Sequence, residues 1–412
     1  MPDNRFVVFG AGYIGEKAIR YIGEDKISFF IDNNLNKQGT LFHGFKVYAV
    51  EDVLDIVNRY TVIVAVDEGK SIEIMKQLDA YNIKNYKSLC EAYMEENQEK
   101  IETDVCYSKV YEKAIEWVKC NTVQNKGIIN NSDVKKPYPE VTGYYIPTLL
   151  HFGYQDLACQ YAKWLCRIQK PDGSWYDTDD EKPYVFDTAQ ILKGLLAVRD
   201  VYRDVDDNIR RACDWLTSHI DGEGRFHAED ENCFAGRNKC SELIHIYGLE
   251  PLQRAGKILK EKKYIEDANK SIHYYVNNRR EEILNFSLLS HFYAYVMEGL
   301  VDMGESEIAR ESMKKIAILQ RESGAVPAYK DCSWVCSTGL FQLAIVWYKL
   351  GENERGNRAF EYACKLQNKT GGWFGSYLVK ENPKENNTYF PMSEISWANK
   401  YFLDAYYLRN RV

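Results

Sequence analysis

Two heptapeptides, QKPDGSW (169–175) and QNKTGGW (367–373), share the pattern Gln-x3-Gly-x-Trp, and two looser copies, IDGEGRF (220–226) and QRESGAV (320–326), fall between them. Their last residues are spaced at multiples of about fifty residues, with one copy eroded near 276 and another at Gln124–Gly127. A fixed period of this size marks one supersecondary unit used repeatedly, because such a unit cannot bury its apolar face alone. Six loops at this spacing predict six helical hairpins over residues 107–412.

Amphipathic segments fill the intervals in two sets. One set precedes the loops, at about 107–121, 155–168, 206–219, 260–277, 305–319 and 354–366. The other follows them, at about 140–152, 186–199, 240–252, 286–302, 333–350 and 393–408. The second set is apolar nearly all round, as in VFDTAQILKGLLAV and TGLFQLAIVWYKLG, and a helix of that kind is a buried one. The expected architecture is therefore an (α/α)6 toroid, with the second set as its inner ring and the first as its outer ring.

The first ninety residues read differently. RFVVF (5–9) is a β-type run, GAGYIG places Gly10, Gly12 and Gly15 in GxGxxG register, and EKAIRYIG continues as a helix. Strand, glycine turn and helix in that order form a phosphate-binding context: Gly10 for the turn, Gly12 for close approach of the ligand, Gly15 for helix–strand packing, with Tyr13 and Ile14 between them. ISFFID ends a second strand at Asp32, where a carboxylate would receive ribose hydroxyls. Further strands near 46–47, 61–66 and 86–89, with helices near 50–58 and 70–81, predict a small Rossmann-like parallel-sheet domain over 1–90. Polar residues 91–106 read as a helical linker. The chain is thus multidomain, α/β followed by all-α.

The stretch IDNN…KQG…FHGFKVY resembles the N-terminal Rossmann-like domains of bacterial surface-glycan enzymes, including sugar acetyltransferases of the PglD type. That resemblance covers about residues 5–90 and implies NAD(P) or a nucleotide-sugar as ligand, although the glycines could serve the turn alone. The Gln-Gly-Trp loops resemble the QW repeats of the terpene cyclase and protein prenyltransferase superfamily. Glycoside hydrolases, polysaccharide lyases and uronate epimerases share that toroid without the repeat, so the resemblance implies a fold more than a reaction.

Composition excludes several classes. The net charge of −7 with scattered Lys and Arg gives no nucleic-acid footprint. No apolar run spans a bilayer, and no signal-peptide pattern precedes the first strand, so the expected compartment is the cytoplasm, with its eleven cysteines reduced. Neither a zinc pattern nor a CxxC pair occurs, so no metal is expected. Oligomeric state is left open.

If the inner helices all start on one rim, their first turns converge on one cavity mouth. The residues there are Glu140 and Tyr144, then Asp187, then Cys240, Glu242 and His245, then His291 and Tyr293, then Asp331 and Trp334, then Glu394 and Trp397. Carboxylates facing one another raise each other's pKa and separate acid from base roles. Aromatic walls with a few polar groups hold sugars. Catalytic roles are assigned to Glu140, Asp187, Glu242, Glu394, His245, His291 and Tyr144, and substrate contacts to Trp334, Trp397, Tyr293 and Asp331. Acids and Ser also cap helix starts, which is the bland alternative for each. The expected function is a carbohydrate-active hydrolase, lyase or epimerase of surface-glycan metabolism, taking a sugar or glycan and a nucleotide. A non-catalytic glycan-binding or scaffolding protein is the second reading. An isoprenoid cyclase or prenyltransferase is the third: DVDD (204–207) opens an outer helix, DTDD (177–180) lies in a loop, and the aligned string YVFDTA keeps Asp187 but replaces the other acids with Tyr184 and Phe186.

Overall fold

The computed structural model describes residues 6–97, 104–227 and 241–411, so Cys240 and linker positions 98–103 lie outside the described residues. The chain divides into two compact units, Met1–Glu102 with Leu378–Asn386, and Thr103–Tyr377 with Asn387–Val412.

In the first unit, β1 (Phe6–Phe9), β2 (Ile27–Ile31), β3 (Leu41–Phe42), β4 (Phe45–Tyr48), β5 (Thr61–Val64) and β6 (Tyr86–Ser88) form one sheet in the order β3-β4-β2-β1-β5-β6, parallel at every pair except β3-β4. The edge strand β3 (Leu41–Phe42) departs from the expected all-parallel sheet: it pairs antiparallel with β4 through a turn at His43 and Gly44. Short chain length explains this, since a parallel partner needs a crossover of a dozen or more residues and none is available there. Helices α1 (Tyr13–Ile22) and α2 (Glu68–Ala80) connect strands, and α3 (Leu89–Glu96) follows β6 behind a Ser88/Glu91 capping box. The segment near 50–58 forms two 3-10 turns, Glu51–Val53 and Val57–Arg59, rather than one helix. Val7, Phe9, Ile31, Val57, Val62 and Leu78 form the core, each side chain contributing roughly 1.5–3 kcal/mol by leaving water.

In the second unit, among the described residues, outer helices Tyr107–Cys120, Gln155–Ile168, Asp206–Ser218, Lys262–Asn278, Ser306–Leu319 and Asn353–Lys365 alternate with inner elements. The inner elements are Pro139–His151, Val185–Val198, Glu242–Leu259, Ser290–Asp302, Ser337–Lys349 and Ser396–Arg409, and each packs on the next with the sixth returning to the first. The ring is therefore closed. Outer helices bury one stripe, as with Ala158, Tyr161, Ala162 and Leu165, whereas the second inner helix is buried nearly all round.

Four inner elements start later than the sequence pattern predicts, the fourth in the ring at Ser290 rather than near 286. The third is a 3-10 helix, Glu242–Gly248, and becomes α-helical only at Leu249. Pro251 is the reason: it lacks an N–H and its ring would strike the carbonyl four residues back, so an α-helix must begin within a turn of it. The fifth starts at Ser337, after the short strand Val335–Cys336 pairs with Ser376–Tyr377. The sixth starts at Ser396, because Glu394 is bridged to Phe374 in extended backbone.

The repeated loops act as fasteners. Gln367 Nε2 donates to the carbonyl of Gly371 (3.0 Å) within its loop and to Val110 (2.9 Å) of the first outer helix. Gln169 does the same toward Gly173 (2.9 Å) and Asn208 (3.0 Å), and Gln320 toward Gly324 (3.4 Å) and Arg355 (3.0 Å). The indoles of Trp175 and Trp373 are fully buried and donate to Leu165 and Ala363, both at 2.8 Å. Gly371 has φ +96° and a Cβ there would sit 2.2 Å from the Lys113 carbonyl. Gly371→Ala should therefore cost more than about 2 kcal/mol in urea unfolding, whereas alanine at the open, exposed Gly69 of α2 should leave stability unchanged or raise it by up to about 1 kcal/mol.

Candidate functional site

Contacts between inner elements that are not ring neighbours locate the axis of the toroid. Phe186 of the second element meets Tyr295 of the fourth, with ring centroids 4.8 Å apart. Tyr401 of the sixth donates its hydroxyl to Tyr247 of the third, at 3.3 Å. Tyr295 and Tyr401 are edge-on at 5.9 Å, and Tyr144 and Tyr401 meet at 5.8 Å. Side chains from five of the six elements thus converge on one axial site.

At the helix N-terminal end of this axis lie Glu140 and Asp187, both buried. Burial pushes Glu140 up to about 7, against the lowering effects of the Tyr138 hydrogen bond and the Lys400 charge. Burial also pushes Asp187 well above the carboxylate range, with further repulsion from Glu140 and Asp177. One Asp187 oxygen, Oδ2, has no hydrogen-bond partner among the described residues. Tyr138 hydrogen-bonds Glu140 and stands edge-on to Trp397, whose indole donates to the Tyr389 hydroxyl at 2.9 Å. Below the acids come Tyr144, Phe186, Tyr247, His291, Tyr295 and Tyr401. His291 touches Tyr295 (4.5 Å), Tyr389 (6.0 Å) and Tyr401 (6.0 Å), and its Nδ1 contacts Gln342 Oε1. One layer deeper, Lys193 donates to Tyr247 (3.1 Å), Lys349 bridges Glu298 (3.0 Å) and Asp302 (2.6 Å), and Lys400 pairs with Asp404 (2.8 Å).

The axis therefore gathers Glu140, Tyr144, Asp187, His291 and Trp397 from the sequence candidates. The others lie elsewhere. Glu242 is clamped by Arg225 (2.6 Å) and Arg279 (2.6 Å), so it serves an ion-pair cluster rather than the axis. Glu394 accepts from Trp117 Nε1 (2.8 Å), Asn368 Nδ2 (2.8 Å) and Thr370, so it fastens the last loop to the first outer helix. His245 packs on Phe226 of the third loop, at 5.3 Å, and burial pushes it down to about 4. Tyr293 turns away to donate to the Ile283 carbonyl, at 2.8 Å. Asp331 is exposed in a turn six residues before the fifth inner helix, and Trp334 packs edge-on against Tyr329. For Asp331, Trp334 and Glu394 the cause is that the fifth and sixth helices begin later than expected, so residues assigned to their first turns precede them; Glu242 and His245 lie in a 3-10 helix and Tyr293 within the fourth helix, and there the partners of the side chains decide.

Residues missed in sequence are Tyr138, Gln190, Lys193, Tyr247, Tyr295, Glu298, Gln342, Lys400 and Tyr401. A signal for some existed. Gln190 and Gln342 are polar residues in the middle of helices otherwise apolar all round, and both are fully buried. Such a residue must meet a partner or a ligand, and both Gln190 amide atoms and Gln342 Nε2 lack a partner among the described residues.

The first unit holds a cleft of about 690 Å³ lined by Gly10, Gly12, Tyr13, Ile14, Asp32, Lys37, Asp67 and Lys70, with Ile74 and Gln77 at its edge. Asp32 Oδ2 accepts from the Ala11 backbone N–H (2.8 Å) and from Lys37 (3.1 Å). Gly15 packs α1 onto the turn, a Cβ there falling 2.0 Å from the Gly10 carbonyl. Among the described residues no helix is long and apolar enough to cross a membrane, and no cluster of His, Cys, Asp and Glu suits a metal ion.

Residues 121–242 match the squalene-hopene cyclase C-terminal domain family, which covers the first two inner helices and Asp187. A curated relative, the terpentedienyl-diphosphate synthase of Kitasatospora griseola, is 36% identical over 76 residues, 18% of this chain and 15% of that protein. The solved structures it resembles are similar in fold alone. An α-amylase from Clostridium perfringens aligns at 16% identity and TM-score 0.55, over 73% of this chain and 97% of that one. A heparin-specific unsaturated glucuronyl hydrolase aligns at 14% and 0.53, over 74% and 96%. A type II terpene cyclase from Scytonema aligns at 13% and 0.52, over 76% and 99%. The second unit has the α/α-toroid fold common to these sugar and terpene enzymes.

The buried acids give a signed pH effect. An acid whose folded pKa lies above its unfolded value is protonated only in the folded state between the two, so stability falls as pH rises through that interval. For Glu140 the interval runs from the ordinary carboxylate range to about 7. Glu140→Gln, which copies the protonated acid, should match the wild-type melting temperature at pH 5 and exceed it at pH 8 in differential scanning calorimetry.

Proposed function

We propose that the second unit is an acid–base enzyme acting on a hydroxylated sugar ring, with Asp187 as proton donor and Glu140 as proton acceptor. The observation that carries this reading is the pair of buried carboxyls on the axis, Asp187 with one oxygen unpartnered among the described residues and Glu140 hydrogen-bonded by Tyr138, both pushed up by burial. Two acids pushed to different pKa values are how one site supplies both roles at neutral pH. Asp187 delivers a proton from its unpartnered oxygen to a substrate oxygen, and Glu140, held by Tyr138, receives one from a hydroxyl, a ring carbon or water. Tyr144, Tyr295 and Trp397 supply faces and hydroxyls for the ring.

The family match and the terpene synthase relative favour isoprenoid cyclisation as the second reading. The wall chemistry argues against it. A carbocation needs aromatic and aliphatic walls without nucleophiles, whereas this axis carries Lys193, His291, Gln190 and Gln342. Phe186 and Tyr184 also stand where the aspartate string of the cyclases would carry its other acids. The test is turnover of p-nitrophenyl glycosides, unsaturated uronyl disaccharides and free aldoses, beside geranylgeranyl diphosphate. A sugar probe should be converted, and Asp187→Asn and Glu140→Gln should each lower kcat at least about 100-fold. Cyclisation of the diphosphate, or full activity in both variants, would overturn the assignment.

For the first unit, the cleft and its glycine turn support nucleotide binding of the Rossmann type. The residues fit: Gly12 faces open space, with only Lys37 Nζ near its missing Cβ (3.6 Å), leaving room for a phosphate at the N-terminus of α1. Asp32 suits a ribose diol and disfavours a 2′-phosphate, which points to NAD or a nucleotide-sugar over NADP. In thermal-shift titrations NAD or a UDP-sugar should raise the first unit's melting temperature, NADP should not, and Gly12→Val should abolish the shift.

A further inference from the structure

We propose that Gln342 is a positioning residue that fixes His291 in its Nδ1–H tautomer, leaving Nε2 as a permanent hydrogen-bond acceptor in the axial site. This rests on the acid–base reading of that site and adds to it how a substrate hydroxyl is oriented.

His291 Nδ1 meets Gln342 Oε1, and an amide oxygen can only accept, so the shared proton resides on Nδ1. Both residues are buried, His291 at 3% exposure and Gln342 at none, so water cannot compete for the bond. The Nε2 atom carries no hydrogen bond among the described residues. Around the ring stand Phe292 and Tyr295 from its own helix, Tyr401 and Lys400 from the sixth inner helix, Tyr389 from the preceding loop, and Gln342 from the fifth. Of these Lys400 bears the acting charge, and burial with that charge pushes the ring down to about 3. A ring so weakly basic is not a general base near neutrality, so proton removal stays with Glu140, and the role left to His291 is acceptance of a hydroxyl hydrogen. Two fully buried atoms on the fifth helix, Thr338 Oγ1 and Gln342 Nε2, one turn apart, also lack polar partners among the described residues. A polyol supplies donors and acceptors for such atoms, and a hydrocarbon supplies neither.

The test needs no substrate. Two-bond ¹H–¹⁵N correlation spectra of ¹⁵N-histidine-labelled full-length protein, with His291 assigned by its loss in His291→Asn, should show Nδ1 protonated, Nε2 unprotonated and no titration from about pH 5 to 8. Gln342→Leu should mix the tautomers or reverse them. Gln342→Glu should keep Nδ1–H and raise the ring's pKa into the observed window, because a carboxylate stabilises the imidazolium. A wild-type ring protonated at Nε2 overturns the proposal, as does a Gln342→Leu spectrum identical to wild type. If Gln342→Leu does not fold, the Gln342→Glu titration decides alone: an unshifted ring refutes the contact. On a converted sugar probe, Gln342→Leu should lower kcat/KM about 10-fold or more with the pH profile unmoved. Full activity in Asp187→Asn and Glu140→Gln would refute the acid–base reading and leave the tautomer result standing.

Discussion

The toroid depends on a glutamine amide that donates twice. One N–H pair from Gln169, Gln320 or Gln367 satisfies a carbonyl inside its own loop and another on an outer helix further round the ring. Each bond is worth only about 1 kcal/mol net, and the outer-helix carbonyls lie in first turns that already accept within their own helices, so what the amide adds is a directional tie between hairpins. The bonds therefore set where each hairpin sits on the next. The last of them, from Gln367 to Val110, joins the two ends of the repeat, and Glu394 with Trp117 seals the same seam. Once the ring is closed, the inner elements have no freedom to drift, and side chains from distant hairpins stay on one axis.

That rigidity permits the arrangement on the axis. A buried carboxyl pair and several amides without partners are individually unfavourable. Such a set persists where the surrounding packing is strong enough to hold it, and it clusters where chemistry is done. The deeper layer of Lys193, Lys349, Lys400, Glu298, Asp302 and Asp404 is by contrast charge-balanced and largely paired, Lys349 with Glu298 and Asp302 and Lys400 with Asp404, although Glu298 Oε2 has no partner among the described residues. The polar load is thus divided between a largely matched layer that stabilises and an unmatched layer that is free to meet a ligand.

Much of the ring was legible in the chain, because its repeat is written in residues that have one physical use each: a glutamine for two carbonyls, a glycine for a left-handed turn, a tryptophan for the gap between hairpins. Inner and outer helices separated by apolar periodicity alone. The site was only partly legible. Glu140 and Asp187 stood out as acids at the starts of the two inner helices whose boundaries were read correctly to within a residue. Glu242 and Glu394 looked alike in sequence, yet their partners, Arg225, Arg279, Trp117 and Asn368, come from distant segments that no local pattern names. The tyrosines were hidden by abundance: among 31 of them nothing in sequence separates the few that reach the axis from those in the general core.

The seam between the last loop and the first outer helix has a consequence for biosynthesis. During translation, Trp117 and the Val110 carbonyl leave the ribosome more than two hundred residues ahead of Gln367 and Glu394. Until those arrive, the nascent chain is an open arc whose end hairpin presents an unmatched apolar flank to the cell. Ring completion is therefore a late event with a large loop-closure cost, and chaperone attention would concentrate on that waiting edge.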